Sequence, residues 1–165
     1  MAFEKIKMQL KEQDIQEIQE RLKPLIGKKA DRVYRMFGSF IKFELGDKIP
    51  DGEDVTRSEW RLYIGLCVWR LQTQDDVICG SEDPHSHMDP TLKLLENRIF
   101  LSFEVFSPSL EITITFEQGL ILRLFPIYTD EEGFRHLELF TPDNHVLILG
   151  PGNNWVYKRS DVPDD

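Results

Sequence analysis

Residues 110–126 read LEITITFEQGLILRLFP, and this stretch decides the fold. Its first half alternates apolar and polar residues, which is the period of a strand with one buried face. Gly119 can supply the positive φ that a short hairpin turn needs. The return run places Ile121 and Phe125 between leucines, which predicts a strand buried on both sides, and Pro126 ends it because it lacks a backbone N–H. The stretch therefore predicts a β-hairpin.

Weaker patterns of the same kind occupy most of the chain. Apolar residues at helical spacing predict a helix over about 15–22, opened by a capping box of Asp14 and Glu17. Asp89 with Pro90 predicts a second short helix over 91–97. Between and after them, strand-like runs alternate with polar segments, and 46–57 and 80–90 are predicted as surface loops. Residues 1–13 fit an edge strand or a helical start.

The two halves of the chain resemble each other in the order of their elements. Each half predicts one helix followed by four antiparallel strands, with a period of about 70 residues, as expected of a duplicated unit. We place the pseudo-repeats at 14–80 and 90–150, linked by 81–89, within a single domain over 1–165. The predicted fold class is α+β and mainly antiparallel sheet. Its two similar α-β-β-β-β halves, with one short helix each, pack as a sandwich or partly open barrel.

Composition and charge exclude several classes of protein. No apolar run reaches the length of a membrane span and the start lacks the apolar middle of a signal peptide, so we expect a cytoplasmic protein without membrane contact. Cys67 and Cys79 have no metal-type spacing, and a reduced pair fits that compartment. The net charge of −9 disfavours binding to nucleic acid, because nucleic-acid-binding proteins carry a basic stripe on their surface. The same charge permits a basic protein as partner.

The segment 83–89, DPHSHMD, has the most chemical character. In an extended backbone His85 and His87 point the same way, and either Asp83 or Asp89 is positioned to complete a metal site. No HExxH or comparable motif supports that interpretation, so we favour a solvated linker and expect no metal and no cofactor. None of the 4 histidines belongs to a recognisable catalytic arrangement, which favours a protein that is not an enzyme.

Aromatic and acidic residues predict where a protein partner would bind. Trp60 has a neighbouring arginine, a pairing typical of interface hot spots, although burial in the core explains it as well. A contiguous patch of Trp60, Tyr63 or Phe134 rimmed by carboxylates would mark an interaction surface. Asp75 and Asp76 belong to an acidic cluster that we otherwise interpret as a solvated turn.

Several segments together resemble an uncharacterised bacterial family of small two-repeat, β-rich proteins. They are LIGKKADRV, FELG, WRL ahead of VICGSED, LEITITFEQGLILRLFP and VLILGPGNNW. The family's members correspond to about 25–155 of this chain, so that 1–13 lies outside the likeness. Such families are associated with polymorphic-toxin neighbourhoods, where acidic proteins act as immunity partners. The resemblance implies an immunity-like role and assigns no residue.

Three hypotheses of function follow, in order of preference. The first is a non-catalytic interaction module, immunity-like, that binds a basic protein and is a monomer or homodimer. The second is a small-ligand-binding β domain that uses a cavity between its half-sheets. The third is a metal-dependent hydrolase that uses the His85 and His87 loop. This hypothesis would be excluded if the two imidazole rings lay apart and were exposed to solvent.

Overall fold

The computed structural model describes residues 10–130, 132 and 134–163. This part of the chain is α+β, with two antiparallel sheets and two short helices, and the predicted fold class is confirmed at that level. The edge strand or helical start expected at the beginning of the chain falls largely on residues 1–9, which lie outside the described residues.

The described chain contains two α-helices, each followed by a 3-10 turn, a third 3-10 turn at Glu117–Gly119, and eleven strands. The helices are α1, Glu12–Leu22, and α2, His85–Leu92, and the turns that follow them are Lys23–Leu25 and Lys93–Leu95. The strands are β1 Arg32–Arg35, β2 Ile41–Pro50, β3 Thr56–Ile64, β4 Cys67–Gln72, β5 Val77–Gly80, β6 Phe100–Val105, β7 Ile112–Phe116, β8 Ile121–Pro126, β9 Leu137–Phe140, β10 His145–Leu149 and β11 Trp155–Arg159.

The strands form a six-stranded sheet, in the order β1-β2-β3-β9-β10-β11, and a five-stranded sheet, in the order β5-β4-β8-β7-β6. The chain leaves the six-stranded sheet after β3 and returns to it after β8. Neighbouring strands in both sheets run antiparallel, as the short connections in the sequence predict.

The predicted hairpin is confirmed as β7 and β8, and it carries the centre of the core. Phe116, at the end of β7, is fully buried. Its ring centroid lies 6.1 Å from that of Phe43 on β2 and 4.8 Å from that of Phe100 on β6. Side chains of both sheets therefore meet in one hydrophobic core, as expected when each sheet buries one face.

The prediction that β8 is buried on both sides is wrong. Leu122 and Leu124 are buried, but Phe125 is 55% exposed, and Ile121 is only half-buried. Successive side chains of a strand point to opposite faces, and the five-stranded sheet turns one of its faces to solvent. Phe125 lies on that open face.

Helix α1 is confirmed, although it begins three residues earlier than the pattern predicted. The backbone N–H of Lys11 donates to the Asp14 carboxylate at 2.9 Å. Asp14 is thus the third residue of the helix and not the residue that precedes it, so the predicted capping box is shifted by one turn. An acidic side chain near the start of a helix also interacts favourably with the helix dipole.

Helix α2 lies where a loop was predicted, and this correction changes the candidate site. The helix begins directly after Pro84 and contains Pro90, which the sequence analysis had placed at the start of a later helix. Met88 and Leu92, one turn apart, are both buried against the core. Their burial stabilises the segment as a helix despite the one backbone N–H that Pro90 lacks.

The loop predicted over 46–57 is mostly strand. β2 continues to Pro50 and β3 begins at Thr56, with a register shift between Leu45 and Lys48. Gly46 stands in that irregular segment with φ of 78°, and a Cβ there would overlap the Glu59 side chain. A bulge of this kind lets a strand continue through residues that break the alternation of polar and apolar positions.

The segments that follow the two helices bond to each other. The N–H of Gly27 donates to the carbonyl of Phe100, and the N–H of Asn97 donates to the carbonyl of Ala30, each at 2.8 Å. Gly27 and Asn97 both have positive φ. Within the described residues, no helix has the length and apolar character needed to cross a bilayer.

Candidate functional site

The solvent-facing side of the five-stranded sheet carries a groove of about 690 Å³. It exists because β4 and β8 alternate strictly. Trp69 and Leu124 point into the core, whereas the residues next to them point outward into the groove. On the core side, the indole N–H of Trp69 donates a hydrogen bond to the carbonyl of Ser39 at 2.7 Å, which fixes the position of the side chain.

Two arginines lie side by side on the floor of the groove. Arg70 of β4 and Arg123 of β8 are directly paired across the two strands, and Thr113 of β7 is the next residue along the same row. The Nε of Arg70 donates to Gln72 at 2.9 Å, and neither arginine forms an ion pair with any described residue. Like charges directly opposite each other destabilise a sheet. Three acidic residues, Glu82, Asp83 and Glu111, also line the groove, and none of them forms an ion pair with Arg70 or Arg123.

Exposed apolar side chains surround the arginines. Phe125 and Val68 are paired across β8 and β4, and Val77 and Phe106 lie at the two sides of the groove. Each of the four is more than 40% exposed. Exposed apolar groups clustered around a few charged ones are typical of ligand grooves and not of an ordinary solvated face.

A cluster of potential metal ligands stands at one end of the groove. The ligand atoms of Cys79, Asp83 and His87 all lie within 4.8 Å of one another. Cys79 belongs to β5, His87 to the first turn of α2, and Asp83 lies in the turn between them. Asp83 also lines the groove, and its carboxylate accepts the backbone N–H of Gly80 at 2.8 Å.

Of the metal candidates taken from the sequence, the structure brings Asp83 and His87 together and leaves His85 and Asp89 out. His85 and His87 both lie in the helix, where residues two apart point in different directions, and the turn before the helix brings Asp83 to His87. Both histidines are exposed. The site that an extended backbone would build from His85 and His87 is not formed, and a buried cysteine takes the place of His85.

The thiol of Cys79 is not set up as a nucleophile. Burial raises its pKa to about 11, and the Asp83 carboxylate beside it acts in the same direction. Burial raises the pKa of Cys67 to about 12. Because the thiolate is the nucleophilic form, neither cysteine acts as a nucleophile near neutral pH unless another group removes its proton. Both are also free in the structure.

The five residues proposed for a partner surface do not form one patch. Trp60 and Tyr63 lie on opposite faces of β3, and Trp60 packs partly against the core. Asp75 and Asp76 are exposed in the turn between β4 and β5. Phe134 is 55% exposed, and its ring centroid is 5.4 Å from that of Tyr128.

The direct cross-strand neighbours of Tyr63 are Lys42 on β2 and Glu138 on β9. The ammonium of Lys42 lies 5.4 Å from the ring centroid of Tyr63 and 3.0 Å from the carboxylate of Glu44. Arg32 and Lys48 also contact that carboxylate, at 3.6 and 3.8 Å. Burial raises the pKa of Glu44, but these three cations outweigh it and hold the pKa below its ordinary value. Tyr63 therefore has a cation on one side and the Glu138 carboxylate on the other, and it is not surrounded by carboxylates alone.

No protein-family model, no curated protein and no solved structure matches the chain. The resemblance to an uncharacterised bacterial family thus stays a prediction. The groove and the cluster of Cys79, Asp83 and His87 are therefore identified from the geometry of the structure alone.

The sequence analysis missed the arginine pair, although part of the signal was present. Arg123 stands in the middle of the apolar run 120–125, in phase with Ile121 and Phe125. A charged residue in that phase indicates that the whole phase faces solvent. The pairing of Arg123 with Arg70 depends on which strands are neighbours, and no local pattern contains that information.

Proposed function

We propose that the protein binds a small amphipathic oxyanion in the groove of the five-stranded sheet. Its ligand is an organic molecule with an apolar body and one terminal carboxylate or phosphate. The observation that carries the proposal is the direct pairing of Arg70 with Arg123 on an open sheet face, where neither guanidinium forms an ion pair with a described residue although Glu82, Asp83 and Glu111 line the same groove.

Charge supports this choice of ligand. The chain has a net charge of −9, so acidic partners for two arginines are abundant in its composition. Guanidinium groups form planar, bidentate hydrogen bonds with carboxylates and phosphates. An oxyanion between Arg70 and Arg123 relieves the repulsion between them, and Thr113 adds a hydroxyl to the same row.

Size and lining support an apolar body for the ligand. A volume of about 690 Å³ is within the range of small-molecule sites. Phe125 and Phe106 offer ring faces, and Val68 and Val77 offer aliphatic contacts, all exposed in the absence of a ligand. Burying these side chains against a ligand adds affinity that a bare inorganic anion does not gain.

The ligand site differs in position from the one expected from the sequence. That expectation placed the cavity between the half-sheets. The interior is instead filled by large side chains that are fully buried, among them Trp69, Phe43, Phe100 and Phe116. A ligand site in the described chain therefore lies on the outside of a sheet.

Binding of simple probes tests the proposal. We expect 4-phenylbutyrate or phenyl phosphate to bind to the ¹⁵N-labelled protein and to shift the amide signals of β4 and β8, and the neutral 4-phenylbutanol to bind more weakly. Arg123→Gln should lower the affinity for the preferred probe about tenfold or more, because a hydrogen bond to a charged group contributes about 1.5–3 kcal/mol. The two anionic probes separate carboxylate from phosphate recognition.

Matched variants distinguish the groove from general electrostatics. Arg32→Gln removes the same charge from the other sheet and should leave probe affinity nearly unchanged. Gly80→Leu adds a side chain opposite Arg70, where a Cβ would be 3.8 Å from the carbonyl oxygen of Trp69, so it should block the groove in a folded protein. Equal binding of the neutral probe, or unchanged affinity in Arg123→Gln and Gly80→Leu, would refute the proposal.

We also propose that the chain is a duplicated unit whose two halves exchange strands to form a sandwich. The first half contributes β1–β3 to one sheet and β4–β5 to the other, and the second half contributes β6–β8 and β9–β10 in the reverse sense. The reciprocal hydrogen bonds of Gly27 and Asn97 support this organisation. In an experimental structure, superposing the halves should place Gly27 on Asn97, and any other correspondence would refute the duplication.

An interaction module for a basic protein partner is the second proposal. It is favoured by a small apolar pocket of about 260 Å³, lined by Phe37, Phe40, Tyr63 and Phe140. Phe37 is 67% exposed there, and aromatic pockets of this kind accept the anchor residue of a partner. A pull-down with the wild-type protein and with Phe37→Ala tests it, and recovery of the same proteins by both would exclude this pocket.

A further inference from the structure

We propose that Cys79, Asp83 and His87 together bind one Zn²⁺ ion. The three side chains provide a sulfur, a carboxylate oxygen and an imidazole nitrogen, all within 4.8 Å of one another. This donor set suits zinc and the related borderline divalent metals, and it does not suit Mg²⁺ or Ca²⁺, which prefer oxygen ligands alone. The inference is independent of the proposed function, since the metal binds whether or not the groove contains a ligand.

The local fold delivers the three ligands from one short segment. Cys79 comes from β5, and its side chain points inward, where it is buried. The chain then turns, and Asp83 and His87 follow at intervals of four residues as α2 begins. A spacing of four brings side chains to one face wherever the backbone is helical. Strand, turn and helix thus place the donors around a common point.

The imidazole of His87 is held by a hydrogen bond to the backbone. Its Nε2 lies 2.9 Å from the carbonyl oxygen of Ile78, which can only accept a hydrogen bond. Nε2 therefore carries the proton, and Nδ1 holds the free lone pair. A metal-binding histidine usually donates its other N–H to a backbone carbonyl or a carboxylate in this way. The hydrogen bond between His87 and Ile78 is an observation independent of the positions of Cys79 and Asp83.

The distances between the donors require only a small closure. With zinc–ligand bonds of about 2.0–2.3 Å, tetrahedral donors are roughly 3.5 Å apart, so the cluster must contract by roughly 1 Å. His87 is exposed and Asp83 is half-buried, and both side chains have room to move, whereas Cys79 is fixed in the core. Three protein ligands leave a fourth position free. Because Asp83 also lines the groove, the metal stands at its edge.

Cobalt and zinc titrations of the full chain test the inference. The protein is treated with a chelator, dialysed, and titrated with Co²⁺, which occupies zinc sites and reports thiolate coordination by a near-ultraviolet charge-transfer band. We expect the band to saturate at one equivalent and to disappear when Zn²⁺ is added. In a competition with a chromophoric chelator, His87→Gln should weaken zinc binding about 100-fold or more, since even residues behind the ligands contribute about 10–100-fold.

The chain offers a matched control for each ligand that is tested. His85→Gln removes a histidine two residues away and should leave the band and the affinity unchanged. Cys79→Ser should abolish the band, whereas Cys67→Ser, which changes the other buried cysteine, should retain it. Because His87 is exposed, its variant folds even if a cysteine variant does not. Absence of a cobalt band in the folded wild type, or equal effects of His85→Gln and His87→Gln, would overturn the proposal.

Discussion

Replacing Phe116 by alanine should lower the free energy of unfolding by about 3–5 kcal/mol, the usual effect of deleting a buried ring. The ring is fully buried, and it contacts Phe100 within its own sheet and Phe43 on the opposite sheet. Its removal leaves a void at the point where the two sheets meet, and these rings can relax into it only in part. Urea unfolding followed by fluorescence and by circular dichroism measures the change.

Phe125→Ala is the matched control on the same hairpin. This phenylalanine is 55% exposed on the groove face, so its loss removes little buried area and should change stability by less than about 1 kcal/mol. The pair of variants separates the two faces of β8. If both variants cost the same free energy, the open groove face would be wrong, and the strand would be buried on both sides as its sequence first indicates.

The contrast between Phe116 and Phe125 shows what a local pattern can predict. Alternation in β7 predicted the hairpin and its buried face, because polar residues occupy every second position there. In β8 nearly all positions are apolar, and the pattern alone does not distinguish two covered faces from one covered face and a ligand groove. Which face is open depends on the neighbouring sheet and helices, and these come from distant parts of the chain.

The candidate metal cluster shows a second limit of prediction from sequence, which is the choice between strand and helical periodicity. His85 and His87 were paired on the assumption of an extended backbone. The apolar residues Met88, Leu92 and Leu95 recur at helical spacing and would have indicated α2, but two prolines and several polar residues favoured a loop. Once the segment is helical, Asp83 joins His87, and the neighbouring strand adds Cys79. Cys79 lies near the end of β5, four residues before Asp83, and the turn after β5 brings the two side chains together.

The stability of the protein should fall by roughly 3 kcal/mol between pH 6.5 and pH 4 because of one histidine. His136 is 1% exposed, and burial lowers its pKa to about 4, against the opposing effect of its hydrogen bond to Leu110. In the unfolded chain the imidazole has a pKa of about 6.5. As the pH falls from 6.5 to 4, the unfolded state therefore binds a proton at His136 and the folded state does not. The free energy of unfolding decreases as a result.

The surroundings of the His136 ring explain why it stays neutral. Its Nε2 donates to the Leu110 carbonyl at 3.1 Å, and its Nδ1 is buried without a hydrogen-bond partner among the described residues. Gly150 lies against the ring, and a Cβ at that position would be 2.7 Å from Nδ1, so a larger residue there would collide with the imidazole. A proton on Nδ1 would place an unpaired charge in the core, next in sequence to the cation of Arg135.

Urea midpoints measured from pH 7.5 to pH 4.5 test this effect above the range in which most carboxylates titrate. We expect the wild type to lose most of its pH-dependent stability there, and His136→Gln, which keeps a donor for Leu110 but cannot be protonated, to show a nearly flat profile. His85→Gln, which changes an exposed histidine, should follow the wild type. Parallel profiles for the wild type and His136→Gln would contradict this prediction, because they would show that the folded protein protonates the His136 ring. Water would then reach the ring between Leu110 and β9 more readily than the packing there indicates.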